Sequence, residues 1–514
     1  MFTDSHIAPD NRALVIGAGL GGLAAAMRLG AKGYRVTVLD RLDRAGGRGS
    51  SIDQDGHRFD LGPTIVTAPM VFEELWAACG RDFNADVALK PMDPFYEIRW
   101  PDGTTFEACG DDDRMLEAVA KLAPRDVKGY KRFMADSHAR YKIAYEGMVA
   151  KPMHKAWETI KVLPQFAMMR ADRSIYHHVA SRVKNEKLRM ALSFHPLFIG
   201  GDPAHVTSMY ALVAYLEKEH GVHYAMGGVQ ALADAMARVI KVQGGAIRHG
   251  AEVDEILTTH GRASGVRLTD GEVAEAPLVI SNADAGHTYD RLLRNHPRRR
   301  WTTNRLRKRR WSMGLYVWYF GTKGTKDKWP DLGHHTILNG QGYTKLLREI
   351  FMKGRLSDDM SLYIHRPSVT DPSVAPDGDD TFYVLSPVPH TGWKDPVNWA
   401  REASIYRNKV AEVLETVMPG FRDHISTELT FTPDTFRDRY LSPHGAGFSI
   451  EPRILQSAWF RPHNVSEELP GLYLVGAGTH PGAGLPGVVS SAEVVAKLIP
   501  DAPVMAAAAR MVAE

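Results

Sequence analysis

The hydrophobic pattern near the start of the chain predicts a strand, a helix and a second strand in close succession. An apolar run over residues 13–16 is followed by glycines at the first, third and sixth positions of residues 17–22, and then by an alanine-rich segment. A second β-branched run over residues 35–39 ends at the acid Asp40. Short apolar runs next to glycines are typical of buried strands, whereas a longer alanine-rich segment favours a helix. The pattern therefore predicts the first β-α-β unit of a parallel sheet.

The glycines and the acid of this unit each have a physical role in binding a dinucleotide. Gly17 allows the tight turn from strand to helix, Gly19 lets the backbone approach a pyrophosphate, and Gly22 lets the helix pack closely on the sheet. Asp40 is placed where its carboxylate can accept hydrogen bonds from both ribose hydroxyls. A glycine-rich surface loop would explain neither the acid nor the two strands. We therefore predict a binding site for NAD or FAD.

Two later glycine segments favour FAD over a nicotinamide cofactor. Gly46 and Gly47 let the main chain pass close to a bound cofactor, and Arg48 beside them can pair with a phosphate. Residues 472–480 form a further apolar run that leads into glycines, and a helix is predicted over residues 490–498. The helix N-terminus near Gly487 and Val488 could stabilise negative charge on a reduced flavin ring. One dinucleotide held from both ends of the sequence is typical of FAD.

The middle of the chain alternates between this nucleotide-binding pattern and a different one. Residues 98–106 predict a hairpin, and residues 111–220 are predicted to be largely helical. A helix over about residues 229–243 and strands near 246–248, 252–257 and 278–282 then indicate a return to the nucleotide domain. In two-domain flavoproteins such a return supplies a residue like Val253, whose backbone can contact the adenine. Asp284 follows at the carboxyl end of a strand, where open α/β sheets bind ligands.

Aromatic-rich strand patterns predict an antiparallel sheet in a second domain. They lie at residues 313–322, 361–365, 381–386 and 425–431. The aromatic face of this sheet is either an ordinary core or the floor of a long apolar substrate cavity.

These patterns together predict an α/β fold in which a Rossmann-type FAD-binding domain is joined to a substrate domain. The FAD-binding domain is expected in three parts, residues 12–110, 226–290 and 470–500. Residues 111–225 are expected to form a helical region that can face a membrane, and residues 291–469 the substrate domain with the antiparallel sheet. Residues 1–11 and 501–514 are expected to be tails.

Two segments are candidates for contact with a membrane surface. Residues 151–170 mix lysines with Met, Trp and Phe, which suits an amphipathic helix on a membrane and equally a surface helix whose apolar side belongs to the core. Residues 291–310 are rich in arginine and contain Trp301, and Trp311 follows directly. Basic clusters with interfacial tryptophans favour anionic lipid, with a solvated charged face as the alternative.

Composition narrows the class of protein. The net charge of +3 is too small to indicate a nucleic-acid partner, and no nucleic-acid-binding motif accompanies the arginines. The sequence has two cysteines, Cys79 and Cys109, which argues against a disulfide framework or a cysteine-built metal site, and we predict no metal site. The first eleven residues lack the basic flank of a signal peptide, and no apolar run is long enough for a transmembrane helix. We expect a cytoplasmic protein that associates peripherally with the inner membrane.

The sequence resembles the bacterial-type phytoene desaturases, which belong to the superfamily of amine-oxidase-like FAD proteins. The resemblance covers nearly the whole chain, and its last three segments together are specific to that family. It rests on residues 17–22, 46–48, 59–64, 193–195, 200–201, 282–284, 445–452, 456–464 and 472–488. Asp40 stands where a glutamate is more usual in the superfamily.

The resemblance implies an FAD-dependent enzyme that desaturates phytoene stepwise to zeta-carotene and neurosporene, and to lycopene if a fourth step occurs. Quinone or oxygen is the expected electron acceptor. Because no cysteine lies near the C-terminal glycines, the FAD should be bound non-covalently. The resemblance also implies an acid and a base at Glu158 and Lys161, although an ordinary surface ion pair would explain these two residues as well. The cofactor-binding residues implied by motif and resemblance are Gly17, Gly19, Gly22, Asp40, Gly47, Arg48, Pro63, Thr64, Val253, Asp284, Gly478, Gly487 and Val488.

Two other classes of protein share this frame. One comprises related flavoenzymes, namely amine oxidases, protoporphyrinogen oxidases and carotenoid isomerases. The other comprises chaperones of prenylated GTPases, which do no flavin chemistry and have no use for Gly47 and Arg48 together with the turn over residues 472–488.

Overall fold

The computed structural model describes residues 10–502. The strands in this range are β1 (Arg12–Ile16), β2 (Arg35–Leu39), β3 (Ser51–Gln54), β4 (His57–Asp60), β5 (Leu89–Pro91), β6 (Tyr96–Arg99), β7 (Thr105–Ala108), β8 (His223–Ala225), β9 (Ala246–Arg248), β10 (Val253–Thr259), β11 (Arg262–Leu268), β12 (Val273–Glu275), β13 (Leu278–Ser281), β14 (Gly314–Thr322), β15 (His335–Leu338), β16 (Leu362–His365), β17 (Asp380–Val388), β18 (Ile425–Phe431) and β19 (Leu472–Leu474).

The α-helices of the same range connect and cover these strands. They are α1 (Leu20–Ala31), α2 (Pro69–Ala78), α3 (Phe83–Asp86), α4 (Asp112–Leu122), α5 (Val127–Arg140), α6 (Ala156–Met168), α7 (Ile175–Ala180), α8 (Glu186–Ser193), α9 (Leu212–His220), α10 (Val229–Val242), α11 (Ala285–His287), α12 (Thr303–Arg307), α13 (Tyr343–Arg348), α14 (Trp399–Leu414), α15 (Pro433–Tyr440) and α16 (Leu485–Leu498).

The first sheet is parallel and takes strands from three separate parts of the chain. Its order is β19-β13-β1-β2-β9, and every neighbouring pair is parallel. Helices α1, α10 and α16 pack on one face, and the antiparallel sheet β10-β11-β12 shares a core with the other. Gly22 of α1 lies so close to β1 that a Cβ atom there would overlap the carbonyl oxygen of Gly17. This parallel sheet contains the β-α-β unit predicted from the N-terminal motif.

The second sheet has seven strands in the order β18-β14-β17-β16-β15-β6-β7. Its pairs are antiparallel except β6 with β15, which are parallel. The predicted antiparallel sheet is therefore present, but β6 and β7 belong to it. Placing residues up to 110 in the FAD-binding domain was wrong at this point, because β6 pairs with a strand more than 200 residues further along the chain.

Helical residues cover one face of the second sheet, and α14 covers the other. Side chains of α4, α5, α7 and α8 share a core with β14 and β17, while α14 packs on the opposite face through Trp399, Tyr406 and Val410. Helix α16 begins at Leu485, earlier than predicted, so Gly487 and Val488 lie in its first turn. Within residues 10–502 the helices are all too short or too polar to cross a membrane. The predicted tails fall largely outside the described residues.

Candidate active site

One cavity of about 1080 Å³ extends from the parallel sheet to the seven-stranded sheet. All the predicted cofactor-binding residues line it except Gly22, which packs α1 against β1 instead. The lining residues among them are Gly17, Gly19, Asp40, Gly47, Arg48, Pro63, Thr64, Val253, Asp284, Gly478, Gly487 and Val488. Segments separated by more than 400 residues therefore meet around one space.

Asp40 ties the end of β2 to the first glycine turn. Its Oδ2 accepts a hydrogen bond of 2.5 Å from the backbone N–H of Ala18, and its Oδ1 accepts one of 2.7 Å from Leu42 N–H. Burial raises the pKa of the Asp40 carboxyl, and the two backbone donors oppose that rise. Each carboxylate oxygen keeps a further lone pair, so the group can still accept from a ribose hydroxyl.

Two helix N-termini open onto the cavity. Helix α1 begins after Gly19 and helix α16 after Gly484, and in the described chain neither first turn receives a side-chain cap. Uncapped N-terminal amides, together with the helix dipole, form a site that favours negative charge. A pyrophosphate at α1 and a flavin ring at α16 would satisfy these donors.

Two half-buried charged groups with unused hydrogen-bonding capacity line the same cavity. Arg48 donates 2.7 Å to Ser442 Oγ, and Asp284 Oδ1 accepts 2.9 Å from Gly286 N–H. Arg48 Nε and Asp284 Oδ2 are buried and have no hydrogen-bond partner among the described residues. Burial lowers the pKa of Arg48 and raises that of Asp284. A polar ligand would supply the missing partners, so this donor and acceptor set fits FAD.

The backbone near the first turn is also shaped for close approach of a ligand. Gly47 has φ +57°, and a Cβ atom on it would lie 3.2 Å from Gly19 Cα. A side chain at either position would therefore narrow the part of the cavity that α1 faces.

The other end of the cavity is apolar and aromatic. Phe198 packs edge-on against Phe194 and Tyr363, with ring centroids 5.3 and 5.7 Å apart. The Tyr363 hydroxyl lies 2.6 Å from Thr64 Oγ1, so this polar group has a hydrogen-bond partner in the cavity wall. Further apolar lining comes from Met313, Leu315, Tyr343, Tyr383, Leu385, Phe436 and Phe448. The aromatic face of the second sheet is thus a cavity floor as well as a core.

A buried acid and histidine lie on the wall of this cavity, and sequence reasoning did not assign them a role. Glu217 Oε2 is 3.2 Å from His195 Nε2, and Tyr96 Oη is 3.0 Å from the same carboxylate oxygen. Glu217 and His195 line the cavity, and their side chains are 5% and 3% exposed. The sequence analysis used residues 193–195 only as part of the family resemblance and assigned them no chemical role. Their partners Glu217 and Tyr96 are distant along the chain, so spacing gave no signal.

Glu158 and Lys161 do not form such a site. They pair with each other at 3.3 Å on α6, where their side chains are 36% and 48% exposed, and both lie outside the cavity lining. Lys161 also lies over the ring of Trp157. The geometry is that of a surface ion pair three residues apart. The implied catalytic role of these two residues finds no support here.

The two candidate membrane segments differ sharply in the structure. Every residue of α6 is at least partly exposed, so none of its side chains is buried in the core. In contrast, Trp301 and Trp311 are 0% and 6% exposed. The prediction of interfacial tryptophans beside the arginines was wrong, because both rings belong to the protein interior.

A parallel sheet assembled from three chain segments carries a dinucleotide cradle that is continuous with an apolar cavity, an arrangement that fits a flavoprotein oxidoreductase. The family model for flavin containing amine oxidoreductases matches residues 20–500. A phytoene desaturase (neurosporene-forming) of Cereibacter sphaeroides is 68% identical over 96% of this chain and 95% of its own length. A phytoene desaturase (lycopene-forming) of a Paracoccus species is 40% identical over 96% of this chain and 98% of its own.

The chain belongs to the flavin-containing amine oxidoreductase family and, within it, to the phytoene desaturases. The crystal structure of an oxidoreductase from Methanosarcina mazei matches with a TM-score of 0.63 and 18% identity, over 95% of this chain and all of that one. That likeness establishes the fold. Family membership makes the protein an FAD-dependent oxidoreductase, as predicted from the glycine turns, and not a chaperone.

Proposed function

We propose that this protein desaturates phytoene, with zeta-carotene as an intermediate and neurosporene as the main product. The observation that supports this most directly is the continuity of the cofactor cradle with a long apolar cavity. The neurosporene-forming relative is much more similar to this chain than the lycopene-forming one, 68% against 40% identity. Lycopene would form only if a fourth step follows.

The cofactor would be held without a covalent bond by the residues around its cradle. Asp40 would accept from the ribose, the amides at the start of α1 would bind the pyrophosphate, and the backbone of Val253 would contact the adenine. Arg48 and Asp284 would supply the buried polar groups between pyrophosphate and flavin. When bound, FAD supplies the oxidising group that accepts hydride from a saturated carbon.

The apolar walls would bind the substrate by removing it from water. A hydrocarbon has no polar group that can form hydrogen bonds. Its binding free energy therefore comes from the burial of apolar surface, at about 25 cal/mol per Å². The aromatic rings at Phe194, Phe198 and Tyr363 would align the chain past the cofactor end and exclude water.

A desaturation also releases a proton from the carbon next to the one that loses hydride, and a wall group must accept it. Glu217 is the best-placed candidate, because it lines the cavity and its carboxylate contacts His195 and Tyr96. The Tyr96 hydroxyl donates to the carboxylate, and His195 could take the proton onward. We propose Glu217 as the base in place of Glu158.

Helix α6 would dock the protein on an anionic membrane surface. Trp157, Ile160, Leu163 and Met168 are 59%, 52%, 51% and 78% exposed, and we call these four side chains the α6 patch. Leu163 also lines the cavity, so the α6 patch adjoins its wall. A hydrocarbon could then pass from bilayer to cavity without crossing water. A quinone in the bilayer, or oxygen, would reoxidise the cofactor.

Flavin absorbance tests the proposal with the purified holoprotein. Phytoene in liposomes, added in the dark without oxygen, should bleach the flavin band, and a quinone should restore it. Unchanged absorbance with phytoene, but bleaching with an amine, would contradict the proposed substrate.

A further inference from the structure

Three histidines meet at the junction of two neighbouring strands of the second sheet. His334 immediately precedes β15, and the antiparallel register pairs His335 of β15 with His365 of β16. One ligand atom from each of the three side chains lies within 4.8 Å of the others. All three residues lie outside the lining of the cavity, so the cluster is separate from the site described above.

The hydrogen bonds of this cluster orient the rings but leave ligating atoms unused. His334 Nε2 and His365 Nε2 are 3.0 Å apart, and His334 Nδ1 is 2.6 Å from Thr370 Oγ1. His335 Nε2 and His365 Nδ1 are buried and have no partner among the described residues. Buried nitrogen atoms without partners are uncommon in native structures and indicate an absent ligand or water.

We propose that His334, His335 and His365 bind one divalent first-row transition metal ion, typically Zn²⁺, through their Nε2 atoms. Imidazole donors suit zinc, copper, nickel and iron, whereas magnesium and calcium prefer oxygen ligands. A histidine ligates a metal through a ring nitrogen that carries no proton.

Two of the three rings have the surroundings of a ligating histidine. A ligating histidine usually has its other ring nitrogen fixed by a hydrogen bond. Thr370 supplies that bond to His334, and Tyr363 supplies it to His335 at 2.7 Å. His334 is only half-buried, which gives the ion a path of entry.

Binding needs a small rearrangement and no net release of protons. In the metal-free cluster one Nε2 of the His334–His365 pair carries a proton, which must move to Nδ1 of the same ring. Metal–nitrogen bonds of about 2.1 Å in a tetrahedral site place the nitrogens about 3.4 Å apart. His334 Nε2 and His365 Nε2, which are 3.0 Å apart, would therefore separate slightly. A water molecule would complete the coordination.

The bound ion would link β15 to β16 and hold His335 in place. Because His335 Nδ1 contacts the Tyr363 hydroxyl, which in turn contacts Thr64, the ion would also help position a ring on the cavity wall.

Metal analysis of the tag-free holoprotein tests this proposal. After incubation with zinc and removal of the excess, mass spectrometry should find about one zinc per chain. His335→Asn and His365→Asn should each weaken zinc binding by about tenfold or more. His57→Asn is the matched control, since His57 is also buried in the same part of the fold but bonds Thr381, and it should keep the metal.

Two results would overturn the proposal. One is a zinc content far below one per chain in the unaltered protein, with cobalt and nickel equally unbound. The other is full zinc retention in folded His335→Asn protein. The stoichiometry of the unaltered protein decides the question even if the variants fail to fold, and circular dichroism with flavin absorbance reports their folding.

Discussion

Glu217 Oε2 and His195 Nε2 lie 3.2 Å apart on the cavity wall, both buried and 22 residues apart in the sequence. We predict that Glu217→Gln lowers the rate of phytoene desaturation by about 100-fold or more, because general bases typically contribute about 10²–10⁴-fold. The amide keeps the shape and the contact with Tyr96 but cannot accept the proton. Initial rates at saturating phytoene measure the effect.

The matched control for Glu217 is Glu158→Gln. Glu158 is exposed and paired with Lys161, so this substitution should leave the rate within about twofold, since surface ion pairs contribute little. A large loss with Glu158→Gln and none with Glu217→Gln would reverse our assignment.

Asp40→Asn should weaken FAD binding by about tenfold or more. The amide loses a charged acceptor, and hydrogen bonds to charged groups contribute about 1.5–3 kcal/mol each. Its N–H₂ group would also face the donor N–H of Ala18 or Leu42. Fluorescence titration of the apoprotein with FAD gives the dissociation constant. Asp43→Asn, an exposed acid three residues away, should not change it, and equal affinities for both variants would count against the ribose contact.

Removing two side chains of the α6 patch should detach the protein from liposomes. Burying a large apolar side chain contributes about 1.5–3 kcal/mol, so Trp157→Glu with Ile160→Glu should reduce partitioning into anionic liposomes at least about tenfold. Neither residue lines the cavity. Ile405→Glu on α14, where the side chain is 48% exposed, is the control. If co-sedimentation is lost equally in the control, α6 is not the docking surface.

Asp60 should make stability depend on pH. Burial raises the pKa of Asp60 from 3.8 to about 7, while one oxygen accepts from Val229 N–H at 3.1 Å. The folded state therefore retains a proton that the unfolded state has lost, so this group's contribution to stability falls as pH rises through about 4 to 7. The free energy of unfolding, relative to Asp60→Asn, should fall by about 3 kcal/mol between pH 5 and pH 8. Parallel pH profiles for the two proteins would show that Asp60 is ionised throughout.

The cofactor cradle was predictable because its geometry is local. The turn over residues 17–22 and the acid at Asp40 belong to one β-α-β unit, whose parts must lie together once the strands form. The C-terminal turn was also predictable, since residues 472–480 repeat the local pattern of an apolar strand that leads into glycines.

The acid and histidine of the cavity wall were not predictable in this way. Tyr96 and Glu217 are 121 residues apart and meet only because helical residues pack over the second sheet. The domain of β6 and β7 was mispredicted for the same reason, because their sheet is defined by the pairing of β6 with the distant strand β15. The prediction that Trp301 and Trp311 lie at a membrane interface was wrong, because composition does not show whether a ring points to the surface or to the interior.

Chromatography of the products after feeding phytoene tests the central claim most directly. The purified protein with FAD, liposomes and a quinone, kept in the dark, should convert phytoene first to zeta-carotene and then to neurosporene. Recovery of unchanged phytoene from a flavin-loaded, folded protein would contradict the account.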